Sequence, residues 1–219
     1  MTTFTTVSKT PATSAAAGPE STPRLVLASA SPRRREILSG AGVSFEIQPS
    51  TIVELSRESE SPAELAQRLA AEKADDVAGR LCSEPPVPVL GADTIVVVDE
   101  EVLGKPRDEE HAVELLTRLM GRRHRVMTGI ALAWSDGRPT LCEVVTSEVG
   151  MRAATRAELV EYVALGESLD KAGGYALQGA GRRFVVEVEG SSTNVIGLPL
   201  EETLALFARG GLPDLIEGP

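Results

Sequence analysis

The sequence predicts an α/β fold in which a mixed, twisted β-sheet is flanked by helices. Two kinds of segment alternate along the chain. One kind shows the two-residue alternation or the β-branched content of strands, and the other repeats apolar residues at helical spacing. One pair of strand-like segments is joined by 135–139, whose Asp-Gly step is typical of a hairpin between antiparallel strands. A hairpin among otherwise alternating strands and helices indicates a mixed sheet. We expect a single domain with an elaborated lobe.

The first elements begin with Leu25–Ala28, a short apolar run of strand type. A helix is predicted to follow, because Ser31 is a good N-cap and Pro32 suits a first helical position, where its missing N–H would have no partner. Val43–Ile47 then alternates apolar and polar residues, which predicts a half-buried strand.

The middle of the chain predicts a helix, a buried strand and a second helix. Ser61 and Glu64 have the spacing of a capping box, which predicts a helix that begins there and runs to about Ala78. Val89–Val98 ends in a wholly β-branched run, which favours a buried strand. Asp108 is the N-cap of the next helix, in which leucines recur at helical spacing until Gly121.

The second half continues with two long strands, a helix, a short strand and a closing helix. The strands on either side of the hairpin are rich in apolar and β-branched residues, and Thr155 with Glu158 forms a second capping box. The predicted elements are Arg125–Trp134, Leu141–Met151, Thr155–Leu165, Phe184–Val188 and Leu200–Ala208.

Composition restricts the class of protein. A chain of 219 residues with 42% apolar and 25% charged residues has the size and balance of a soluble globular protein. Its net charge of −10 argues against binding to duplex nucleic acid, although a local cationic pocket can still attract an anionic small molecule. No apolar run approaches the roughly 18–20 residues that span a membrane. We therefore expect neither nucleic acid nor a membrane as a partner.

The ends of the chain and its two cysteines add further expectations. Residues 1–23 are rich in Thr, Ser, Ala and Pro without hydrophobic periodicity, so we predict a disordered tail, a domain over 24–210 and a C-terminal tail over 211–219. Cys82 and Cys142 are isolated, which fits a reducing compartment and predicts a cytoplasmic protein, while a bridge between them stays open.

The first predicted helix opens with three arginines, at a position that local physics disfavours. Cations at a helix N-terminus oppose its dipole by roughly 0.3–1 kcal/mol each. An anion held there by free N–H groups, by the Ser29 and Ser31 hydroxyls and by the guanidinium groups of Arg33 and Arg34 reverses that effect. We favour a phosphate-type ligand over the alternative, an arginine-rich turn in open solvent.

Lysines are scarce, and three of the four stand at notable positions. Lys73 shares a helix face with residues that would be buried, so its ammonium either snorkels to water or points into a ligand cleft. Lys105 follows a tight Leu-Gly step just beyond a buried strand, and Lys171 opens a glycine-rich segment.

Asp93 is the carboxylate that stands out, because apolar residues flank it on both sides within a predicted strand. A carboxylate buried there costs several kcal/mol unless it is paired, protonated or bound to a metal. It is either a structural residue that accepts backbone N–H bonds, or a general base or metal ligand. Glu54 is a second acidic candidate.

The segment 170–179, DKAGGYALQG, allows close approach of backbone to a ligand, and the amide of Gln178 can both donate to and accept from a base edge. Tight packing alone would also explain its glycines. The chain contains no Walker A sequence, dinucleotide fingerprint or nucleophile elbow, so the standard forms of those sites lack support.

With these residues identified, the chain resembles the Maf family of nucleoside triphosphate pyrophosphatases, collinearly from about residue 24 to 206. Several long motifs in a fixed order make the resemblance specific. The motifs are LASASPRRREIL at 27–38, GADTIVVV at 91–98, LGKPRD at 103–108, MTGIAL at 127–132, DKAGGYALQG at 170–179 and NVIGLPL at 194–200.

The resemblance implies a Maf/ITPase-like fold, a homodimer, and hydrolysis between the α- and β-phosphates of a nucleoside triphosphate with Mg²⁺ or Mn²⁺. It implies that Asp93 is the proton acceptor that activates water, and that Glu54 and Asp93 lie at the metal. The family pattern has two acidic residues where this chain has Val53-Glu54, so one carboxylate of that pair is absent. The positions that match the triphosphate site are Ser29, Arg33, Arg34, Lys73 and Lys105.

Three positions bear on the substrate. Arg33, Thr94 and Gln178 resemble the branch that acts on dTTP and UTP, whereas the 7-methyl-GTP branch tends to carry an aromatic residue, Gln and Glu there. This implies pyrimidine triphosphates, including modified ones, and a housecleaning role in nucleotide pools. The alternatives are a 7-methyl-GTP or broad-specificity pyrophosphatase, or a nucleotide-binding regulator of cell division and septum formation with little turnover.

Overall fold

The computed structural model describes residues 25–81, 84–212 and 215. Within them, seven strands form one mixed sheet, with helices on both of its faces. The strands are β1 Val26–Leu27, β2 Glu46–Ile47, β3 Pro88–Val98, β4 Glu101–Leu103, β5 Arg123–Trp134, β6 Leu141–Met151 and β7 Val185–Glu189. The helices are α1 Pro32–Gly40, α2 Pro62–Ala78, α3 Glu109–Leu119, α4 Arg156–Val163, α5 Ser192–Ile196 and α6 Leu200–Arg209, and 3₁₀ turns cover Ala172–Gly174 and Ala180–Phe184.

The strand order is β2-β1-β3-β5-β6-β7, and β4 forms a hairpin with β3. β1 runs parallel to both β2 and β3, whereas β3, β5, β6 and β7 pair in antiparallel fashion. The predicted α/β class, the mixed sheet and the hairpin between β5 and β6 are therefore confirmed. The tails predicted at 1–23 and 211–219 lie largely outside the described residues, as does Cys82, so the division of the chain stays a prediction.

Local signals located most elements correctly. Ser61 and Thr155 each form a full capping box at the N-terminus of α2 and α4, and the carboxylate of Asp108 accepts from a backbone N–H at the start of α3. These side chains satisfy N–H groups that have no partner inside the helix, which is why each helix begins where it does. No helix in the described part of the chain is long and apolar enough to cross a membrane.

Four details differ from the sequence predictions. The strand expected over 43–47 shortens to β2, because only its last residues pair with β1. Ser31 occupies the N-cap position of α1, but its side chain makes no capping bond. Strand β4 was not expected, since the turn before it uses Asp99 and Glu100 at positive φ rather than a glycine. Helix α5 was not expected either.

The two faces of β3 carry different residues, and this alternation positions the site. Asp93 lies on the face covered by α2, together with Gly91, while Thr94 lies on the opposite face. β3 pairs with β1 only through Val89 and Leu90, and with β4 only from Val96 onward. Between these two partners, the edge of β3 pairs with no strand in the described part of the chain, which leaves a gap in the sheet.

Helix α2 packs unusually close to the sheet because glycine lies beneath it. A Cβ atom at Gly91 would lie 2.2 Å from the Ala70 carbonyl oxygen and 2.8 Å from the Ala74 nitrogen. At Gly129 on β5, a Cβ atom would lie 2.1 Å from the Ala66 carbonyl oxygen. This close packing brings the polar side chains of α2 within reach of Asp93.

We expect Gly91→Ala to lower the free energy of unfolding by about 2–3 kcal/mol, because the added methyl meets backbone that cannot move without displacing α2. Denaturant unfolding followed by circular dichroism measures the change. Gly40→Ala is the matched control: no heavy atom lies within 4 Å of its added Cβ, so its stability should stay within about 1 kcal/mol of the unaltered chain. Equal effects of the two substitutions would contradict the close packing of α2.

Candidate active site

A cleft of about 420 Å³ opens at the gap in the sheet. All nine residues that the sequence singled out as site residues line it, although they come from seven separate parts of the chain. They are Ser29 after β1, Arg33 and Arg34 in the first turn of α1, Glu54 in the loop after β2, Lys73 in α2, Asp93 and Thr94 in β3, Lys105 after β4, and Gln178 between the two 3₁₀ turns.

Lys73 and Asp93 form a buried ion pair at the base of this cleft. The Lys73 Nζ atom lies 2.6 Å from Asp93 Oδ1, and only 8% and 5% of the two residues are exposed. The ammonium of Lys73 therefore points into the cleft rather than snorkelling to water. Among the hydrogen bonds of the described residues, Asp93 accepts from Lys73 and not from a backbone N–H at the strand end. This arrangement favours the functional interpretation of both residues.

Glu54 contacts the same ammonium, with its Oε1 atom 2.6 Å from Lys73 Nζ. Burial alone would raise the pKa of Glu54, but the Lys73 ammonium, with smaller contributions from Lys105 and Arg34, holds that pKa below its ordinary value. The carboxylate is therefore ionised at neutral pH. The loop that carries Glu54 is bonded to α2 before and after that residue. Asp76 of α2 accepts from the Thr51 N–H, and Arg68 of α2 donates to the Leu55 carbonyl.

The Arg34 guanidinium is almost fully buried, and each of its three nitrogens donates to the protein. Nε donates to the Gly197 carbonyl at 2.8 Å, Nη1 to Ser29 Oγ at 3.0 Å and Nη2 to Thr94 Oγ1 at 3.1 Å. Burial lowers the pKa of Arg34, and Asp93 partly offsets this, but a guanidinium stays protonated in proteins. Arg34 is thus a fixed cation whose orientation is set before any ligand arrives.

The two hydroxyl groups that contact Arg34 are also held in place. Ser29 Oγ accepts from the Ser31 N–H as well as from Arg34, so its own hydroxyl hydrogen remains for a ligand. Thr94 Oγ1 lies 3.0 Å from Thr128 Oγ1 and 3.2 Å from the Gly197 carbonyl. Thr94 therefore connects Arg34 to the sheet, which the sequence did not indicate.

Arg33 occupies a different environment from Arg34. Its Nη1 atom lies 3.1 Å from Asp170 Oδ2, and 28% of its side chain is exposed.

Lys105 makes no ion pair with any residue that the structure describes, and it lies at the exposed rim of the cleft. Five basic side chains and three carboxylates line the cleft, so it is net positive although the chain as a whole carries −10. Such a local excess of cations suits a polyanionic ligand.

The donor set fits a divalent cation that is shared with a phosphate ligand. In the described part of the chain, no three His, Cys, Asp or Glu side chains cluster as metal ligands. Mg²⁺, however, is usually held by one or two carboxylates together with substrate phosphates and water. Glu54 and Asp93 supply two carboxylates that both contact a single ammonium, which is already a position where positive charge is stabilised.

Several residues of the site carried no signal that identified them. In the sequence, nothing distinguishes Asp170 from an ordinary solvated aspartate. A backbone carbonyl such as that of Gly197 cannot be identified as a site group from the sequence. Tyr175 lines the cleft and its hydroxyl lies 2.8 Å from Nε2 of the buried His124. Burial lowers the pKa of His124 to about 4, so this imidazole is neutral and supports the cleft wall without adding charge.

Comparison with known proteins gives one consistent result. The family model described as "Maf-like protein" matches residues 24–210. A protein of Myxococcus xanthus named dTTP/UTP pyrophosphatase is 50% identical over 189 residues, which cover 86% of this chain and 93% of that relative. A dTTP/UTP pyrophosphatase of Escherichia coli O157:H7 is 48% identical over 185 residues, covering 84% and 92% respectively.

One solved structure, a nucleoside-triphosphatase / dITP/XTP pyrophosphatase from Mycobacterium abscessus, aligns with 58% of this chain and 72% of its own. Its sequence identity is 16% and its TM-score is 0.35, so it contributes nothing to the assignment.

Proposed function

The chain belongs to the Maf-like protein family, and we propose that it hydrolyses dTTP and UTP between the α- and β-phosphates, releasing the monophosphate and pyrophosphate. The observation that carries the proposal is the Lys73–Asp93 pair at the base of a cation-lined cleft, beside the fixed guanidinium of Arg34. A binding protein would need the cations, whereas a buried carboxylate at their centre is what a hydrolase needs to activate water.

The residues have separate tasks in this reaction. Asp93 takes a proton from a water molecule that attacks the phosphorus in line with the leaving pyrophosphate. Arg34, Lys73 and Lys105 bind the phosphate oxygens and stabilise the negative charge that develops on them. Because Arg34 is already held by three acceptors, little reorganisation is required when the transition state forms.

We propose Mg²⁺ or Mn²⁺ as the cofactor, held by Glu54 and Asp93. When bound, the cation would polarise phosphate oxygens and offset their charge. The ammonium of Lys73 contacts both of these carboxylates, with its Nζ atom 2.6 Å from an oxygen of each.

Base recognition is assigned to Arg33, Thr94 and Gln178. Uracil and thymine share two carbonyl acceptors and one N–H donor on their pairing edge, and the amide of Gln178 can both donate and accept. Gln178 is exposed and lines the cleft, and its side chain makes no hydrogen bond in the described part of the chain, so it is available to a base. Thr94 accepts a hydrogen bond from Arg34, so it links the residues assigned to the base with a cation assigned to the phosphates.

We also propose that the protein acts in the cytoplasm on free nucleotides, including modified pyrimidine triphosphates, and that it works as a homodimer in nucleotide-pool housecleaning. The small number of cysteines supports a reducing compartment, and the acidic net charge supports a free nucleotide over a nucleic acid as the substrate.

A product-resolved hydrolysis panel tests the proposal. dTTP, UTP, CTP, 7-methyl-GTP, GTP and ATP are each incubated with Mg²⁺ or Mn²⁺, and pyrophosphate is measured separately from orthophosphate. We expect pyrophosphate, mainly from dTTP and UTP. Orthophosphate would place cleavage at the terminal phosphate. Preference for 7-methyl-GTP would assign the chain to the 7-methyl-GTP branch, and similar rates with every base would indicate a broad-specificity pyrophosphatase. Tight binding without turnover would favour a regulator of division and septum formation.

A further inference from the structure

One carboxylate of the cleft has no place in the mechanism above. Asp170 lines the same cleft as the phosphate-binding cations, and 61% of its side chain is exposed. A negative charge there repels a triphosphate, so the carboxylate must provide some compensating function. Burial would raise the pKa of Asp170, but its contacts with Lys171 and Arg33 hold that pKa below the ordinary value, and the group is ionised.

Asp170 is anchored to its own segment more firmly than to Arg33. Its Oδ1 atom accepts from Lys171, whose ammonium also donates to the Glu167 carbonyl at 2.6 Å. The carboxylate of Glu167 in turn accepts from the backbone N–H of Ala180 at 3.0 Å. The segment from 167 to 180 is therefore a closed loop that holds Asp170 near one end and Gln178 near the other.

Arg33 depends on Asp170 for its direction. The ion pair with Asp170 joins residues 137 positions apart, at 3.1 Å, and is the side-chain hydrogen bond that Arg33 makes within the described residues. The neighbouring Arg34 is instead held by three acceptors deep in the cleft. A guanidinium carries five N–H donors, so Arg33 retains most of them while bound to Asp170.

We propose that Asp170 is a positioning residue that turns the Arg33 guanidinium away from the triphosphate and toward the base, and so sets the discrimination between uracil and cytosine. Held by the loop that carries Gln178, the Arg33 donors meet the O4 carbonyl of uracil or thymine. Cytosine has an amino group at that position, which donates rather than accepts and is rejected. This inference rests on the proposed function, since it assigns the base end of that nucleotide site.

Equilibrium binding of UTP and CTP in EDTA, measured by calorimetry, tests the proposal without turnover. The proteins are the unaltered chain, Asp170→Asn, Arg33→Ala and the double variant. We expect Asp170→Asn to lower the UTP-to-CTP affinity ratio about tenfold, the equivalent of one hydrogen bond that discriminates between the bases. In the Arg33→Ala background the same substitution should leave that ratio within about twofold, because Asp170 acts through Arg33.

A structural role alone would not produce this pattern. Asp99→Asn is the matched control, because Asp99 pairs with Arg122 away from the cleft and its side chain is also 61% exposed. It should leave both affinities unchanged, and thermal unfolding of all variants separates loss of fold from loss of selectivity. Equal weakening or equal tightening of UTP and CTP by Asp170→Asn would overturn the proposal.

The outcomes also separate this inference from the function on which it rests. If the unaltered chain prefers UTP and Asp170→Asn keeps that preference, only the role of Asp170 fails. If the unaltered chain binds neither nucleotide in EDTA and also releases no pyrophosphate from them with Mg²⁺ or Mn²⁺, the proposed function fails and this inference fails with it.

Discussion

Replacing Asp93 by asparagine is expected to lower kcat for dTTP and UTP by about 10²–10⁴-fold, the range typical of a lost general base. Asparagine keeps the shape of the side chain and an oxygen that can accept from Lys73, but it cannot take a proton from water. KM should change by less than kcat, because Arg34 and Lys105 still bind the phosphates. Steady-state kinetics with pyrophosphate detection measures both constants.

Asp75→Asn provides the control for this substitution. Asp75 is an exposed residue of α2 whose carboxylate accepts from Thr140, outside the cleft, so its replacement should leave kcat within about twofold. Thermal unfolding of the Asp93 variant verifies that the fold survives. A kcat near that of the unaltered chain would remove Asp93 from the role of proton acceptor, whatever happens to KM.

The sequence alone identified Asp93 as a candidate site residue, because a charged side chain within a buried, apolar strand is rare. Burial of an unpaired carboxylate is costly, so its presence in such a strand predicts a partner. The period of α2 then indicated Lys73 as a side chain on a buried face. The capping boxes at Ser61 and Thr155 located two helices within a few residues, because capping is determined by local hydrogen bonds.

Other parts of the site depend on contacts between distant segments, which local rules do not describe. The carbonyl of Gly197 binds Arg34 only because α5 brings the two together, and α5 has just five residues. Strand β4 begins after a turn in which Asp99 and Glu100 adopt positive φ, so the usual Asn-Gly or Asp-Gly signal is absent. Asp170 was missed because its partner lies 137 positions away in the sequence.

Replacing Lys73 by methionine is expected to have the second large effect, on stability as well as on activity. The substitution keeps the length of the side chain but leaves the buried Asp93 carboxylate without its counterion, and it leaves Glu54 beside it. Removing one partner of a buried ion pair typically costs about 3–5 kcal/mol, so a loss of about 3 kcal/mol in the free energy of unfolding is expected. We also expect kcat/KM to fall at least 100-fold, since a phosphate-binding cation is lost.

The double variant Lys73→Met with Asp93→Asn distinguishes an unpaired charge from poor packing of the methionine. Because the double variant buries no uncompensated carboxylate at this position, it should recover about 2 kcal/mol relative to Lys73→Met, while remaining inactive. Lys105→Met is the matched control: this exposed lysine makes no ion pair within the described residues, so its loss should raise KM without lowering stability. If Lys73→Met unfolds at the same denaturant concentration as Lys105→Met, the ammonium of Lys73 does not stabilise Asp93, and the pairing that defines the base of the cleft contributes no stability.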